Sequence, residues 1–312
     1  MKKILFAAVV FLSASTTAFA QNFRLQPTPQ EYVFQNDSVP VPQAYRLHAG
    51  SSVDGQPALS LLNALLPGET SKADFQIYIG TTADKEMRKY RNRIPEKADG
   101  YFLKIEKDRI IIAGADRRGA YYGLQTLAQL LTLNRLPQVE VTDYPDVPYR
   151  GVVEGFYGIP WSHEARMDQL DFYGRNKMNI YIYGPKDDPY HRTPHWRKPY
   201  PEQEGERISQ LVDRAKQNEV IFYWAVHPGV DIRWNEEDRS LLLQKLESVY
   251  RLGVRGFAVF FDDISGEGTK ADKQAELLNY IDEHFVQAKE DVAPLIMCPT
   301  IYNRGWMWNH EG

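Results

Sequence analysis

The feature that most constrains this chain is the rhythm of its second half. From Arg150 onward, short and almost unbroken apolar runs alternate with longer segments of helical pattern. The runs are "RGVVEGF", "MNIYIYG" (Met178–Gly184), "VIFYWAVHPG" (Val220–Gly229), "RGFAVFFDDI" (Arg255–Ile264) and "PLIMCPT" (Pro294–Thr300). Between them, helices are expected from about Ser162 to Arg175, Glu204 to Asn218, Glu236 to Leu252 and Ala271 to Lys289. Strict strand-then-helix order predicts a parallel sheet. Strands that are apolar along most of their length predict a sheet covered on both faces.

Each strand runs out into residues that can do chemistry. These are Glu154 and Tyr157, Lys186 with Asp187 and Asp188, His227, Asp262 with Asp263, and Cys298 with Tyr302. Function at the C-terminal ends of successive strands is how a (β/α)8 barrel of the TIM type builds its site. A doubly wound open sheet would place its site at one switch point between strands. A pattern spread over five strands favours the barrel. Eight strand–helix units need roughly 250 residues, whereas the 312-residue sequence stops just after the fifth strand. The expectation is a C-terminally truncated barrel with about its first five strands.

The first half reads differently. "FQIYIG" (Phe75–Gly80) and "YFLKIE" (Tyr101–Glu106) alternate like strands, and "RIIIAG" (Arg109–Gly114) follows a tight turn as the second arm of a hairpin. Ala58 to Leu66 is a short helical candidate. Asp116 to Leu131 carries Tyr121, Leu124, Leu127, Ala128 and Leu131 at helical spacing, with Asp116 as N-cap. This predicts a small α+β domain over 21–145. The proline-punctuated "DYPDVPYR" (Asp143–Arg150) marks the junction, and the barrel portion takes 146–312.

Residues 1–20 read as a secretory signal: Lys2 and Lys3, the apolar run "ILFAAVVFL", then Ala18-Phe19-Ala20 as a small-x-small cleavage site. The run is short for a membrane span, and no other segment is apolar enough to cross a bilayer. The expected address is outside a bacterial cytoplasm: periplasm, cell surface or medium. The single cysteine, Cys298, leaves no partner for an intramolecular disulfide. A net charge of −4 gives the whole chain no attraction for nucleic acid or anionic membrane. Aromatics at 12%, many in loops, suit sugar stacking as well as ordinary packing.

"FAVFFDDISGEG" (Phe257–Gly268) carries an apolar strand straight into two adjacent carboxylates. By itself the stretch reads at least as well as a strand ending in a solvated Asp-rich loop. The chemical reading starts from the pleat: neighbouring strand residues face opposite ways, but where the strand leaves the sheet both can reach one pocket. Close like charges cannot both ionise cheaply, so one group stays protonated beside a permanent anion. Glycoside hydrolysis needs such an acid. Ordinary retaining enzymes set a second carboxylate about 5 Å away as nucleophile, and neighbours on one strand are poorly placed for that. They suit a substrate-assisted route, in which the sugar's own 2-acetamido oxygen attacks the anomeric carbon.

Four motifs, in order at strand ends, then carry a resemblance. "GVVEGFYGIPW" (Gly151–Trp161), "YGPKDDPYH" (Tyr183–His191), "WAVHPG" (Trp224–Gly229) and "FAVFFDDISGEG" resemble glycoside hydrolase family 84, the bacterial and animal O-GlcNAcases and hyaluronidase-like β-N-acetylglucosaminidases. The small first domain looks like that of this family and of the related hexosaminidases. The resemblance implies a retaining, substrate-assisted enzyme that removes terminal β-linked N-acetylglucosamine from a glycan or glycoprotein, without metal or cofactor. It implies Asp263 as general acid and then base, and Asp262 as the group that orients and polarises the acetamido N–H. Gly155 through its carbonyl and Lys186 would bind sugar hydroxyls. Tyr157 would line the pocket floor, Tyr302 would touch the acetamido carbonyl, and Cys298 would lie beside the acetyl pocket. The sequence departs from the family at Ile301, where glutamate is usual, and after Asn303.

Blander readings stand beside these. Lys186, Asp187 and Asp188 alone read as a solvated loop, and within the family pattern the two aspartates read as loop braces. His191 and His195 are four apart, but Pro194 interrupts any helix that would turn them into a zinc pair. His227 reads as a satisfied strand-end histidine, Cys298 as a small buried residue, and Glu154 as a salt-bridge or supporting residue. Two rival functions remain: a Mg2+-dependent hydrolase using the Asp pair as ligands, and a non-catalytic glycan-binding remnant.

Overall fold

The computed structural model of the protein describes residues 24–306, so the signal read at residues 1–20 lies outside it. The first sheet contains β1 (Glu31–Val39), β2 (Arg46–Ala49), β3 (Gln76–Thr81), β4 (Tyr101–Ile105), β5 (Arg109–Gly114) and β6 (Leu136–Asp143). Their order is β1-β6-β4-β5-β3-β2. β4 and β5 form the antiparallel hairpin expected from their sequence, while β3 runs parallel to β2 and β5. Two helices, α1 (Pro57–Leu65) and α2 (Arg117–Leu130), belong to the same unit. Asp116 caps α2 by accepting the Gly119 N–H at 2.8 Å. Strand alternation sends Ile77, Ile79, Ile110 and Ile112 into a core shared with Leu124 and Leu127 of α2. Ile111 and Ala113 point the other way, toward Met87 and Ile94.

The sequence reading contains no counterpart of β6, which pairs with both β1 and β4. Its alternation is real, since Val139 and Val141 are buried while Gln138 and Glu140 are only half-buried. Pro137 disguises it, because proline normally argues against a strand with a neighbour on each side.

The second sheet is parallel throughout. β7 (Gly151–Glu154), β8 (Ile180–Tyr183), β9 (Ile221–Val226), β10 (Gly256–Phe260) and β11 (Ile296–Cys298) lie side by side in chain order. The intervening helices are α3 (His163–Arg175), α4 (Glu202–Gln217), α5 (Glu236–Arg251) and α6 (Ala271–Ile281). α6 ends in a π turn over Asp282–Val286 rather than continuing as α-helix. Tyr181, Tyr183, Trp224, Val226, Phe257 and Val259 face the helices. Their neighbours Ile180, Ile182, Tyr223, Ala225, Ala258 and Phe260 gather on the opposite, concave face. The sheet is therefore a curled half-barrel with a packed interior, as β/α barrels have. At Gly151 a Cβ would lie 1.7 Å from the Ile180 carbonyl oxygen, so only glycine lets β7 begin this close to β8.

A polar seam joins the two sheets. The buried Lys177 ammonium donates to Asp143 at 2.9 Å and to the Tyr101 hydroxyl at 2.7 Å. Arg150, just before β7, donates to Asp99 at 2.8 Å. Tyr121 of α2 donates to Asn218 at 3.2 Å. Buried charges kept in hydrogen-bonded pairs avoid the large cost of isolation.

Candidate active site

The site lies where β7, β8, β10 and β11 release their chains. β10 is fully buried through Phe260, and Phe261 is buried too. The next residue, Asp262, is half-buried, and Asp263 is exposed. Asp263 has φ of 54°, in the left-handed region that aspartate tolerates better than most side chains. This turn takes the second carboxylate out of the strand's alternation, so adjacent carboxylates need not face opposite sides of the sheet.

The two carboxylates have different partners. Oδ2 of Asp262 accepts from the Lys186 ammonium at 3.1 Å. Its Oδ1 is buried and has no hydrogen-bond partner among the described residues. His227 Nε2 stands 3.5 Å from it but is committed to the Asp262 backbone carbonyl. Asp263 accepts from the Tyr157 hydroxyl at 2.9 Å. That bond to an anion, more than desolvation, pushes the Tyr157 phenol above its ordinary pKa. Lys186 closes the group, its ammonium lying 5.2 Å from the Tyr157 ring centroid. Four residues from three strand ends thus form one connected cluster.

Cys298 and Tyr302 border it. Burial first, and the Asp262 charge second, push the Cys298 thiol upward. Tyr302, more than half exposed, is raised by desolvation and then by Asp263; its ring packs edge-on against Trp306 at 4.9 Å. Gly155 is half-buried at the end of β7, and a Cβ there would meet Val153 at 3.6 Å and the Gly184 carbonyl at 4.0 Å. No hydrogen bond joins Gly155 to the cluster among the described residues. Among the described residues no group of three or more His, Cys, Asp or Glu is placed to hold a metal ion.

Both halves of the chain are similar to known proteins. The beta-N-acetylglucosaminidase family model matches residues 150–311, more than half of the 312. The chain belongs to the β-N-acetylglucosaminidase family, glycoside hydrolase family 84. The glycosyl hydrolase family 20, domain 2 model matches residues 22–144. Rattus norvegicus Protein O-GlcNAcase is 37% identical over 158 residues, 49% of this chain and 17% of the rat protein. The solved structure of CpGH84B superposes with a TM-score of 0.82 at 36% identity, over 89% of this chain and 50% of that one. That of CpGH84D gives 0.82 at 28% identity, over 93% and 52%. The chain therefore spans about half the length of these solved relatives and a smaller share of the rat protein.

Family 84 membership makes the surroundings of the cluster informative. His227 is buried, and burial pushes its pKa down, so the ring is neutral at pH 7. Its Nε2–H donates to the Asp262 backbone carbonyl at 2.7 Å. It is thus a positioning residue and not the satisfied histidine expected, since its Nδ1 is buried without a hydrogen-bond partner among the described residues; the motif "WAVHPG" was its only sequence signal. From the other side, Thr300 donates to the Phe261 carbonyl at 2.6 Å and accepts from Gln274 at 2.9 Å. No local pattern points to that clamp.

Asp188 braces the loop carrying Lys186. It accepts from the hydroxyls of Tyr183 at 2.9 Å and Tyr200 at 2.7 Å, and from the Tyr190 N–H at 2.7 Å. His191 fixes the same loop through Nε2 to the Pro185 carbonyl at 2.9 Å; burial lowers its pKa to about 4. Glu154 is buried, accepts both guanidinium branches of Arg166 at 2.8 Å, and also accepts from the Tyr181 hydroxyl. It ties β7 to α3 as a structural ion pair.

Proposed function

We propose that this chain carries the catalytic pair of a retaining β-N-acetylglucosaminidase that works by acetamido participation. The observation that carries the reading is the orphaned Oδ1 of Asp262. A buried carboxylate oxygen without a donor is costly, and the N–H of a 2-acetamido group is a donor of the right kind. Lys186 holds the other oxygen at 3.1 Å. Accepting the N–H makes the acetamido oxygen a better nucleophile. That oxygen attacks the anomeric carbon as the glycosidic bond breaks, and a protonated Asp263 gives its proton to the leaving oxygen. An oxazoline forms. Asp263, now a carboxylate, takes a proton from water as the water opens the ring, and two inversions leave the anomeric configuration retained.

Tyr157 donates to Oδ2 of Asp263 and so orients that carboxyl for proton delivery. Lys186 and the Gly155 carbonyl hold sugar hydroxyls, while Cys298 and Tyr302 border the acetyl group. The half-barrel is the leading part of an eight-stranded barrel in this reading. The substrates are N-acetylglucosamine-bearing glycans or glycoproteins outside the cytoplasm; recovery of the mature protein from the cytoplasm would refute that location. A divalent cation at the Asp pair would have to displace the Lys186 ammonium from Asp262.

The test is hydrolysis of aryl β-N-acetylglucosaminides of graded leaving-group acidity, in chelator, by wild type and Asp263→Asn. Loss of the acid should cost about 10²–10⁴ in rate, most for the poorest leaving group. Equal loss for every leaving group, or activity that needs added Mg2+, would remove the assignment.

A further inference from the structure

We infer that a second, non-catalytic saccharide site lies on the far side of the loop that carries Lys186. A concavity of about 660 Å3 opens between the first turn of α3, the first turns of α4 and this loop. Lys186 turns inward to Asp262, whereas its neighbour Asp187 is exposed and borders the concavity. The volume is that of a small-molecule pocket.

Its lining has the two elements that sugar rings need. The half-buried ring of Trp161, which meets Phe156 only edge-to-face at 5.3 Å, supplies apolar surface to the lining. Around the mouth stand acceptors, Asp187 and Glu204, and donors, Arg207 and His163. None of these four takes part in a side-chain hydrogen bond or ion pair with the described residues. A hydroxyl both donates and accepts, so a ring of free donors and acceptors matches a polyol better than an ion, which uses one kind only. A cation is disfavoured for a second reason. The Arg166 guanidinium already lies 5.1 Å from the Tyr183 ring, and the Lys245 side-chain nitrogen lies 4.1 Å from the Tyr200 ring and 5.6 Å from the Tyr190 ring, so these ring faces are already covered. The inference fixes the ligand class as a neutral mono- or disaccharide read through its hydroxyls. It needs no acetamido group and does not depend on hydrolysis at the Asp pair.

Cellobiose, which has no acetamido group, separates this groove from the catalytic cluster. Calorimetric titration of the full chain with cellobiose should show millimolar or tighter binding, equal in wild type and Asp262→Asn. The double substitution Glu204→Ala, Arg207→Ala changes only exposed side chains and should weaken binding about tenfold or more, with the circular dichroism spectrum unchanged. No cellobiose binding by the folded chain would overturn the proposal. So would binding indifferent to the double substitution, binding abolished by Asp262→Asn, or capture of tetralysine in place of the sugar. An inactive hydrolase that still binds cellobiose through Glu204 and Arg207 would refute the catalytic reading and leave this one standing.

Discussion

Two carboxylates end strands of the same sheet, and each faces a cation. Glu154, at the end of β7, is saturated: both oxygens accept from Arg166, and a tyrosine hydroxyl adds another bond. Asp262, just beyond β10, spends one oxygen on Lys186 and leaves the other buried without a donor. The first arrangement is a finished structural joint. The second is complete only when something else supplies an N–H or O–H. On the proposed mechanism, saturation more than burial or charge separates Glu154, which holds the fold together, from Asp262, which meets the substrate.

The contrast can be broken most forcefully at Glu154. Glu154→Ala strands the Arg166 guanidinium and should destabilise the chain by about 3–5 kcal/mol, read in urea or thermal melts. Asp262→Asn takes the anion from Lys186 but keeps the side chain's shape and removes an orphaned carboxylate oxygen, so it should destabilise clearly less than Glu154→Ala. Equal destabilisation by the two substitutions would erase the distinction.

A smaller effect comes from the buried base behind the Lys186 loop. Lys245, on α5, is buried among Tyr190, Tyr200 and Trp224 and donates to the Lys198 carbonyl at 2.6 Å. Burial pushes its amine from 10.5 down to about 7. Between those values the unfolded chain holds a proton that the folded chain lacks. Stability should therefore climb as pH rises through that window, by up to roughly 1.4 kcal/mol per pH unit from this group. Below pH 7 both states are protonated and this contribution is flat. Lys245→Met should remove the slope; melts against pH that keep it would place its origin elsewhere.

Tyr157→Phe should show the smallest effect. The residue is 70% exposed, so stability should stay within about 0.5 kcal/mol. Hydrolysis should fall about three- to tenfold, the worth of one hydrogen bond, with a changed basic limb in the pH–rate profile. An unchanged profile would mean that the hydroxyl does not orient Asp263.

Legibility followed the range of the interactions. The half-barrel could be read because each strand's apolar run and each helix's period are local, and the caps Asp116 and Ser162 sit at the helix starts. β6 was hidden by Pro137 although Val139 and Val141 alternate correctly. The motifs pointed to Lys186, Tyr157 and the Asp pair, but the pairing of Lys186 with Asp262 spans 76 residues and has no local signature. The grip of His227 on the Asp262 backbone is equally long-range, and it passes through a carbonyl that every residue has. The left-handed turn at Asp263 was also invisible, because several residue types can follow a strand without one.

The most direct measurement is calorimetric binding of a thiazoline fused to N-acetylglucosamine, a stable mimic of the oxazoline, to wild type and Asp262→Asn. The account predicts tight binding to wild type, as for other intermediate mimics. It predicts a loss of at least about tenfold in the variant, which still unfolds in one cooperative transition. Equal affinity for both proteins would contradict the claim that Asp262 waits for the acetamido N–H.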